Sequence, residues 1–139
     1  MQTFLAYSGF ALSAGVLDRP RCGKQRPEAL QILIALSDPS YGWQNHPAVK
    51  MWRGYETALA EYGIAVCREW ISRGYKDTCI DKIARFRTGK LVLPPWLGDP
   101  AFHASHRAAL LAKNPEWYSQ FGWTETPEIN YVWPGLERQ

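Results

Sequence analysis

Between Leu17 and Glu28 the chain reads Leu17-Asp18-Arg19-Pro20-Arg21-Cys22-Gly23-Lys24-Gln25-Arg26-Pro27-Glu28, and it runs straight into Ala29-Leu30-Gln31-Ile32-Leu33-Ile34-Ala35-Leu36. Four cations, a carboxamide and two carboxylates thus lead into a run apolar enough to be buried on most sides. Charges beside a core need partners or a ligand, because desolvating them alone is costly. On a helix Arg21, Gln25 and Glu28 share one face, and Lys24 stands four residues before Glu28. Two readings fit. In one, Arg19, Arg21, Lys24 and Arg26 hold an anion such as phosphate, with Gln25, while Glu28 works as an acid or base. In the other, the segment is a solvated basic face in which Lys24 and Glu28 form an ordinary surface ion pair worth little.

A second cluster is His103-Ala104-Ser105-His106-Arg107. His103 and His106 face the same side of a helix, and His46 offers a third nitrogen. Three histidines can bind a metal, but no acid lies at the spacing of the usual zinc motifs, so neither metal nor cofactor is expected. Contacts from His103, His106 and Arg107 to a phosphate or base compete with plain helix surface. The run Asn114-Pro115-Glu116-Trp117-Tyr118-Ser119-Gln120-Phe121-Gly122-Trp123 is aromatic. Trp117 and Phe121 form an i,i+4 pair suited to a core, yet Trp117 and Tyr118 also have the composition of a platform that stacks bases. No P-loop, G-x-G-x-x-G, G-x-S-x-G or Cys-x-x-Cys motif is present.

The elements that position these residues read as helices. Ser8 to Leu17 fits a short one capped by Ser8, and Asp18 can cap the next, with Pro20 in its first turn. Pro27 predicts a kink or short break near residues 23 to 27, and the helix resumes through Leu36. Val49, Met51, Trp52, Tyr55, Ala58 and Leu59 continue into Ile64, Val66, Cys67, Trp70 and Ile71, predicting one long helix from Pro47 to about Arg73, bent at Gly63 and ended by Gly74. Short helices are expected over 77–86, 102–113 and 115–121. A loop is expected over 88–100, and an extended tail over 124–139. No strand pattern of useful length appears. The expected fold is all-α: one domain over 1–139, with aromatic-rich connections. The length of 139 residues, 46% hydrophobic content and seven tryptophans suit a packed core, and the net charge of +3 permits nucleic-acid binding without arguing for it. Cys22, Cys67 and Cys79 lack metal-ligand spacing. With no signal peptide and no membrane-spanning run, a reduced, cytoplasmic setting is expected.

Several pieces, in this order, resemble the pyrimidine dimer DNA glycosylases of the phage endonuclease type, and more closely still the short bacterial proteins classed near them. They are Gly23-Lys24-Gln25-Arg26, His46-Pro47-Ala48-Val49 with Trp52 and Tyr55, Glu69 with Arg73-Gly74-Tyr75-Lys76-Asp77, and Asn114-Pro115-Glu116-Trp117-Tyr118 with Phe121-Gly122. The resemblance implies a compact all-α fold that binds duplex DNA, kinks it and flips a base. It also implies an N-terminal α-amine that attacks the sugar carbon, forms an imine and cleaves the strand by elimination, assisted by a glutamate beside an arginine. Arg26 matches that arginine. The glutamate's place is held by Pro27, with Glu28 one residue on, about 100° further around a helix. Bulky Gln2 disfavours removal of the initiator, so the free amine is expected on Met1.

These residues define the expected site: Arg19, Lys24, Gln25, Arg26 and Glu28 on one face, completed by His46, His106 and Arg107. Three function classes remain open: a DNA glycosylase with lyase activity, a non-catalytic DNA-binding module, and an enzyme on a smaller nucleotide-like or glycosidic substrate. For a lyase the expected nucleophile is the Met1 amine first and Lys24 second, because an α-amine is far more often neutral at cell pH than a lysine. Met1 must then lie over the basic helix near Glu28.

Overall fold

The computed structural model describes residues 1–135. Its helices are α1 (Phe10–Gly15), α2 (Arg19–Ser37), α3 (Pro47–Lys50), α4 (Glu56–Ser72), α5 (Ile80–Ala84), α6 (Pro100–Lys113) and α7 (Pro115–Tyr118), followed by a 3-10 turn, Ser119–Phe121. No strand occurs among the described residues, so the fold is all-α.

The pairing that organises the chain is α2 against α4, with α1 and α5 also packed on α4. Two glycines let the helices close. A Cβ on Gly63 would lie 3.1 Å from Ile83 and 3.2 Å from Ala29, so Gly63 is a contact point of α4 rather than a bend. A Cβ on Gly23 would meet the Trp70 indole at 2.9 Å. Ile32, Leu33, Leu59, Ile64 and Ile83 fill the space between, all but inaccessible to water.

Pro27 does not break α2, which is continuous from Arg19 to Ser37. A proline cannot donate to the carbonyl four residues before it. That carbonyl, on Gly23, instead accepts from Arg26 Nε at 3.1 Å. The expected long helix from Pro47 does break. It becomes α3 and α4, separated by a turn in which Gly54 has φ +91° and donates its N–H to Glu56 Oε1 at 3.1 Å. At the far end of α4, Gly74 takes φ +94°, as a residue just past a helix end should.

α1 begins later than expected, with Gly9 rather than Ser8 at its cap position. Asp18 stands at the cap position of α2, but its side chain makes no capping bond there. It accepts instead from Arg21, Asn114 and Tyr118. The 124–135 part of the tail runs without helix over α6, where Glu128 N–H donates to the Ala108 carbonyl and Val132 N–H to Ser105 Oγ, both at 3.1 Å. The remainder of the expected extended tail lies outside the described residues. Among the described residues no helix is long and apolar enough to cross a membrane.

Candidate functional site

Gln2 to Ala6 is buried although it belongs to no helix or strand, so its peptide groups need partners from elsewhere. Side chains supply them. Gln2 N–H donates to Glu28 Oε1 at 2.8 Å, and Gln2 C=O accepts from Gln25 Nε2 at 2.7 Å. Phe4 N–H donates to Gln25 Oε1 at 3.0 Å, and Phe4 C=O accepts from the Tyr62 hydroxyl at 3.0 Å. Leu5 N–H donates to His106 Nδ1 at 3.0 Å, and its carbonyl meets His103 Nδ1 at 2.8 Å. Ala6 C=O accepts from Arg107 at 2.7 Å. Trp52 Nε1 donates to Thr3 Oγ1 at 3.1 Å. Three helices, α2, α4 and α6, and the turn after α3 thus grip the start of the chain through polar side chains.

That grip fixes the α-amine. Met1 N stands 3.5 Å from Glu28 Oε1, the oxygen that also receives the Gln2 N–H. Gln25, one turn before Glu28 on α2, contributes a further 3.4 Å contact from its Nε2 to Glu28 Oε2. The expected offset of Glu28 around the helix does not carry its carboxylate away from the amine.

Two clefts meet at this point and share Met1, Lys24 and Glu28. The larger, about 420 Å³, is also lined by Gln2, Arg21, Lys113 and Tyr131. The smaller, about 250 Å³, is also lined by Pro27, Gln31 and Trp43. Part of the lining is cationic: Arg21, which is paired with Asp18 at 2.8 Å, together with Lys24 and Lys113. Trp43 and Tyr131 add aromatic rings to it, and ring contacts connect the two. Trp43 packs on His46, His46 on Trp133, and Trp133 on Tyr131, with ring centroids 5.9, 6.0 and 5.7 Å apart.

His46 caps α3 by accepting Ala48 N–H at its Nδ1, 3.0 Å away. Its pKa is lowered by burial and by the positive charge of the Met1 amine, with Glu28 pulling the other way. His46 is thus a neutral ring in the electrostatic field of the amine–carboxylate pair.

The other expected site residues divide into three groups. Arg19 and Arg26 point to the opposite side of α2. Arg26 pairs with Asp77 at 2.6 Å and lies 4.5 Å over the Trp70 ring, and Arg19 lies 5.1 Å over Tyr75. The reason is helical geometry, since two residues' separation puts Arg26 about 200° from Glu28. Asp77 is fully buried. Burial would raise its pKa, but the bonds from Arg26, Ile80 N–H and Cys79 N–H bring it below the ordinary carboxylate value.

His103, His106 and Arg107 form the second group, and their work is on the N-terminal segment rather than at the cleft. Gly98 N–H donates to His103 Nε2 at 2.9 Å, which places the proton of that ring on Nδ1 for the Leu5 carbonyl. His106, with no exposed surface, accepts at Nδ1 and carries its proton on Nε2, which has no partner among the described residues. Burial, with the neighbouring His103, pushes its pKa down to about 3. Arg107 also pairs with Glu125 at 3.0 Å.

Trp117 and Tyr118 are the third group. The Trp117 indole donates to the Val16 carbonyl at 2.8 Å. Tyr118 is buried and bonded to Asp18, 2.7 Å from Oδ1, and it stacks on Trp123 with centroids 5.6 Å apart. Neither lines the clefts.

Lys113, Tyr131 and Trp43 line the clefts without having been expected there, and Tyr62 is an unexpected partner of the N-terminal segment. Lys113 and Tyr131 reach the cleft from the far end of the chain, which no local spacing signals. Trp43 carried one local signal, an apolar residue in a polar loop beside Gly42.

No curated protein and no solved structure matches the chain. A family model does, described as pyrimidine dimer DNA glycosylase, over residues 1–83. The matched portion holds Met1, Lys24, Gln25, Glu28, His46 and Trp43, and ends before the Asn114–Gly122 run. With more than half of its length matched, the chain belongs to the pyrimidine dimer DNA glycosylase family of DNA-repair proteins.

Proposed function

We propose that this protein is a DNA N-glycosylase with abasic-site lyase activity, and that the Met1 α-amine is its nucleophile. The observation that supports this most is the placement of the amine. A buried segment held by Gln25, Glu28, Tyr62, His103, His106 and Arg107 delivers Met1 N to 3.5 Å from a carboxylate at the junction of two clefts. Anchoring a chain terminus this thoroughly is costly in ordered side chains, and it yields a fixed nucleophile beside a proton acceptor.

The chemistry follows from the atoms present. Glu28 takes a proton from the ammonium and frees the nitrogen lone pair. The nitrogen attacks the sugar C1′, the bond from C1′ to the base breaks, and the base leaves with the bonding pair and takes a proton from the now positively charged secondary nitrogen. Protonation of the ring oxygen, with Glu28 as the donor, opens the sugar to an iminium linking Met1 N to C1′. Glu28, again a carboxylate, takes the C2′ proton, the 3′ phosphate leaves with its C–O bonding pair by β-elimination, and water hydrolyses the imine to release the amine. Duplex DNA is the proposed substrate. Arg21, Lys24 and Lys113 are its proposed phosphate contacts, and Lys24 is the second candidate for nucleophile. The three cysteines are free and buried, which suits the cytoplasm. Because the cleft draws on α2 and on the tail, residues 1–139 are proposed to act as one domain.

Borohydride trapping on abasic and dimer-containing duplex tests this. Adduct is expected with the parent chain, with loss on adding an N-terminal extension and retention in Lys24→Ala. Adduct undiminished by both changes excludes both amines. No adduct on any such duplex, with salt-dependent binding retained, makes the protein a binding module. Loss of both adduct and binding turns the search to smaller substrates.

A further inference from the structure

The geometry points to Trp43 as the residue on which an unstacked nucleobase rests beside the sugar that Met1 attacks; this deepens the glycosylase reading and rests on it for the identity of the sugar. Three observations carry it. Trp43 has φ +72°, the only non-glycine residue on the positive side among the described residues, and a bulky side chain is costly to hold there. Its neighbour Gly42 would take that conformation without penalty, so the loop puts the strain on the indole-bearing position.

The loop is also pinned around the strained residue. Gln44 Nε2 lies within hydrogen-bond distance of the carbonyls of Ala35, Asp38 and Tyr41, at 2.6, 2.9 and 3.1 Å, which ties the loop to the end of α2. His46 N–H donates to the Trp43 carbonyl at 3.0 Å. A backbone this restrained, around a residue this strained, nevertheless leaves the indole 59% exposed.

The indole is exposed in a particular place. It lines the smaller cleft with Met1, Lys24 and Glu28, and the ring chain through His46 and Trp133 continues from it to Tyr131 in the larger cleft. Aromatic rings and cations lining the same pair of clefts are the combination that binds unpaired nucleotides, with phosphates on the cations and bases on the rings. Trp43 is the most exposed of these rings and lines a cleft shared with Met1. The structural role left to it would be its edge contact with His46, which needs no positive φ.

The test is equilibrium binding by fluorescence anisotropy to two labelled duplexes. One carries a thymine dimer opposite two adenines. The other carries stable abasic analogues on both strands at the same positions, so that no base is available there. Parent, Trp43→Ala and Trp43→Phe chains are compared, with circular dichroism confirming the fold of each. Trp43→Ala is expected to lose about tenfold in affinity for the dimer duplex and less than about twofold for the base-less one, with Trp43→Phe recovering most of the loss. An equal loss on both duplexes, or no loss on either, overturns the proposal. Because the readout is binding, its failure is separable from that of the catalytic reading. Adduct in the parent without the difference between duplexes removes Trp43 alone. The difference without adduct leaves the stacking role and removes the lyase.

Discussion

Glu28 Oε1 lies 3.5 Å from the Met1 α-amine and accepts the Gln2 amide N–H at 2.8 Å, so one oxygen both fixes the first peptide and faces the terminal nitrogen. These two duties are separable by chemistry. Holding the peptide needs only an acceptor, whereas taking a proton from the amine needs a base.

Glu28→Gln keeps an acceptor and removes the base. Its thermal stability is expected to stay within about 1 kcal/mol of the parent, since a carboxamide oxygen can still receive the Gln2 N–H. The rate of imine trapping is expected to fall on the order of 10²-fold, the low end for loss of a positioned acid–base group. DNA affinity is expected to hold or rise, because a negative charge has left the cleft. Trapping kinetics and anisotropy on the same duplex check the three outcomes together.

Gln25→Ala strips the clamp rather than the chemistry. It leaves the Gln2 carbonyl and the Phe4 N–H buried without partners. The expected loss in urea denaturation is about 3 kcal/mol. Trapping per folded molecule should fall while the affinity for undamaged duplex, set by the cationic lining, changes little.

Acid sensitivity follows from the histidines. The folded-state pKa of His106 is pushed down to about 3 by burial, and those of His46 and His103 are also lowered, mainly by burial. Below about pH 6.5 the unfolded chain binds protons that the folded chain refuses, so stability is full above that value and falls as the pH is lowered toward 3. His106 accounts for at most about 2 kcal/mol of the loss between pH 7 and pH 5. His106→Asn keeps an acceptor for Leu5 N–H and lacks the titration. Its melting temperature should therefore fall less steeply over that interval, even if it starts lower. Asp18 and Asp77 add their own loss only further down: burial raises both, but their hydrogen bonds and arginine partners hold them below the ordinary carboxylate value.

Most helices and the Arg21, Lys24, Gln25 and Glu28 side of α2 were legible because both depend on spacing within a few residues, whereas Arg19 and Arg26, expected on that face, lie on the other. Glu28 and Gln25 share a face by periodicity alone, and the structure puts both beside Met1. The break between α3 and α4 was hidden, since Met51, Trp52 and Tyr55 keep helical spacing through it; Gly54 was its one local mark. Of the N-terminal segment only the place of Met1 over α2 near Glu28 was anticipated, and through the chemistry the resemblance implies; the way the segment is held was not legible. Its partners come from positions 25, 28, 62, 103, 106 and 107, and only tertiary packing brings those to one strand of backbone. For the same reason His103 and His106 read as surface ligands when they are buried supports.

Arg26 and Lys24 stand two residues apart and predict opposite phenotypes. Arg26 serves the Gly23 carbonyl that Pro27 cannot, covers Trp70 and neutralises Asp77, whose side chain has no exposed surface. Arg26→Ala strands that carboxylate, which also accepts the N–H groups of Cys79 and Ile80 at the start of α5. A destabilisation of about 3 kcal/mol is expected, the low end for breaking a buried pair, with trapping per folded molecule changed by less than about threefold. Lys24 lines both clefts and has no ion-pair partner within 4.0 Å among the described residues. Lys24→Ala should leave stability within about 0.5 kcal/mol, weaken binding to damaged and undamaged duplex alike, and lower the salt slope of binding by about one. Paired urea melts and salt titrations decide between this division and a catalytic Arg26. If Arg26→Ala is stable but fails to trap, the arginine belongs to the cleft after all.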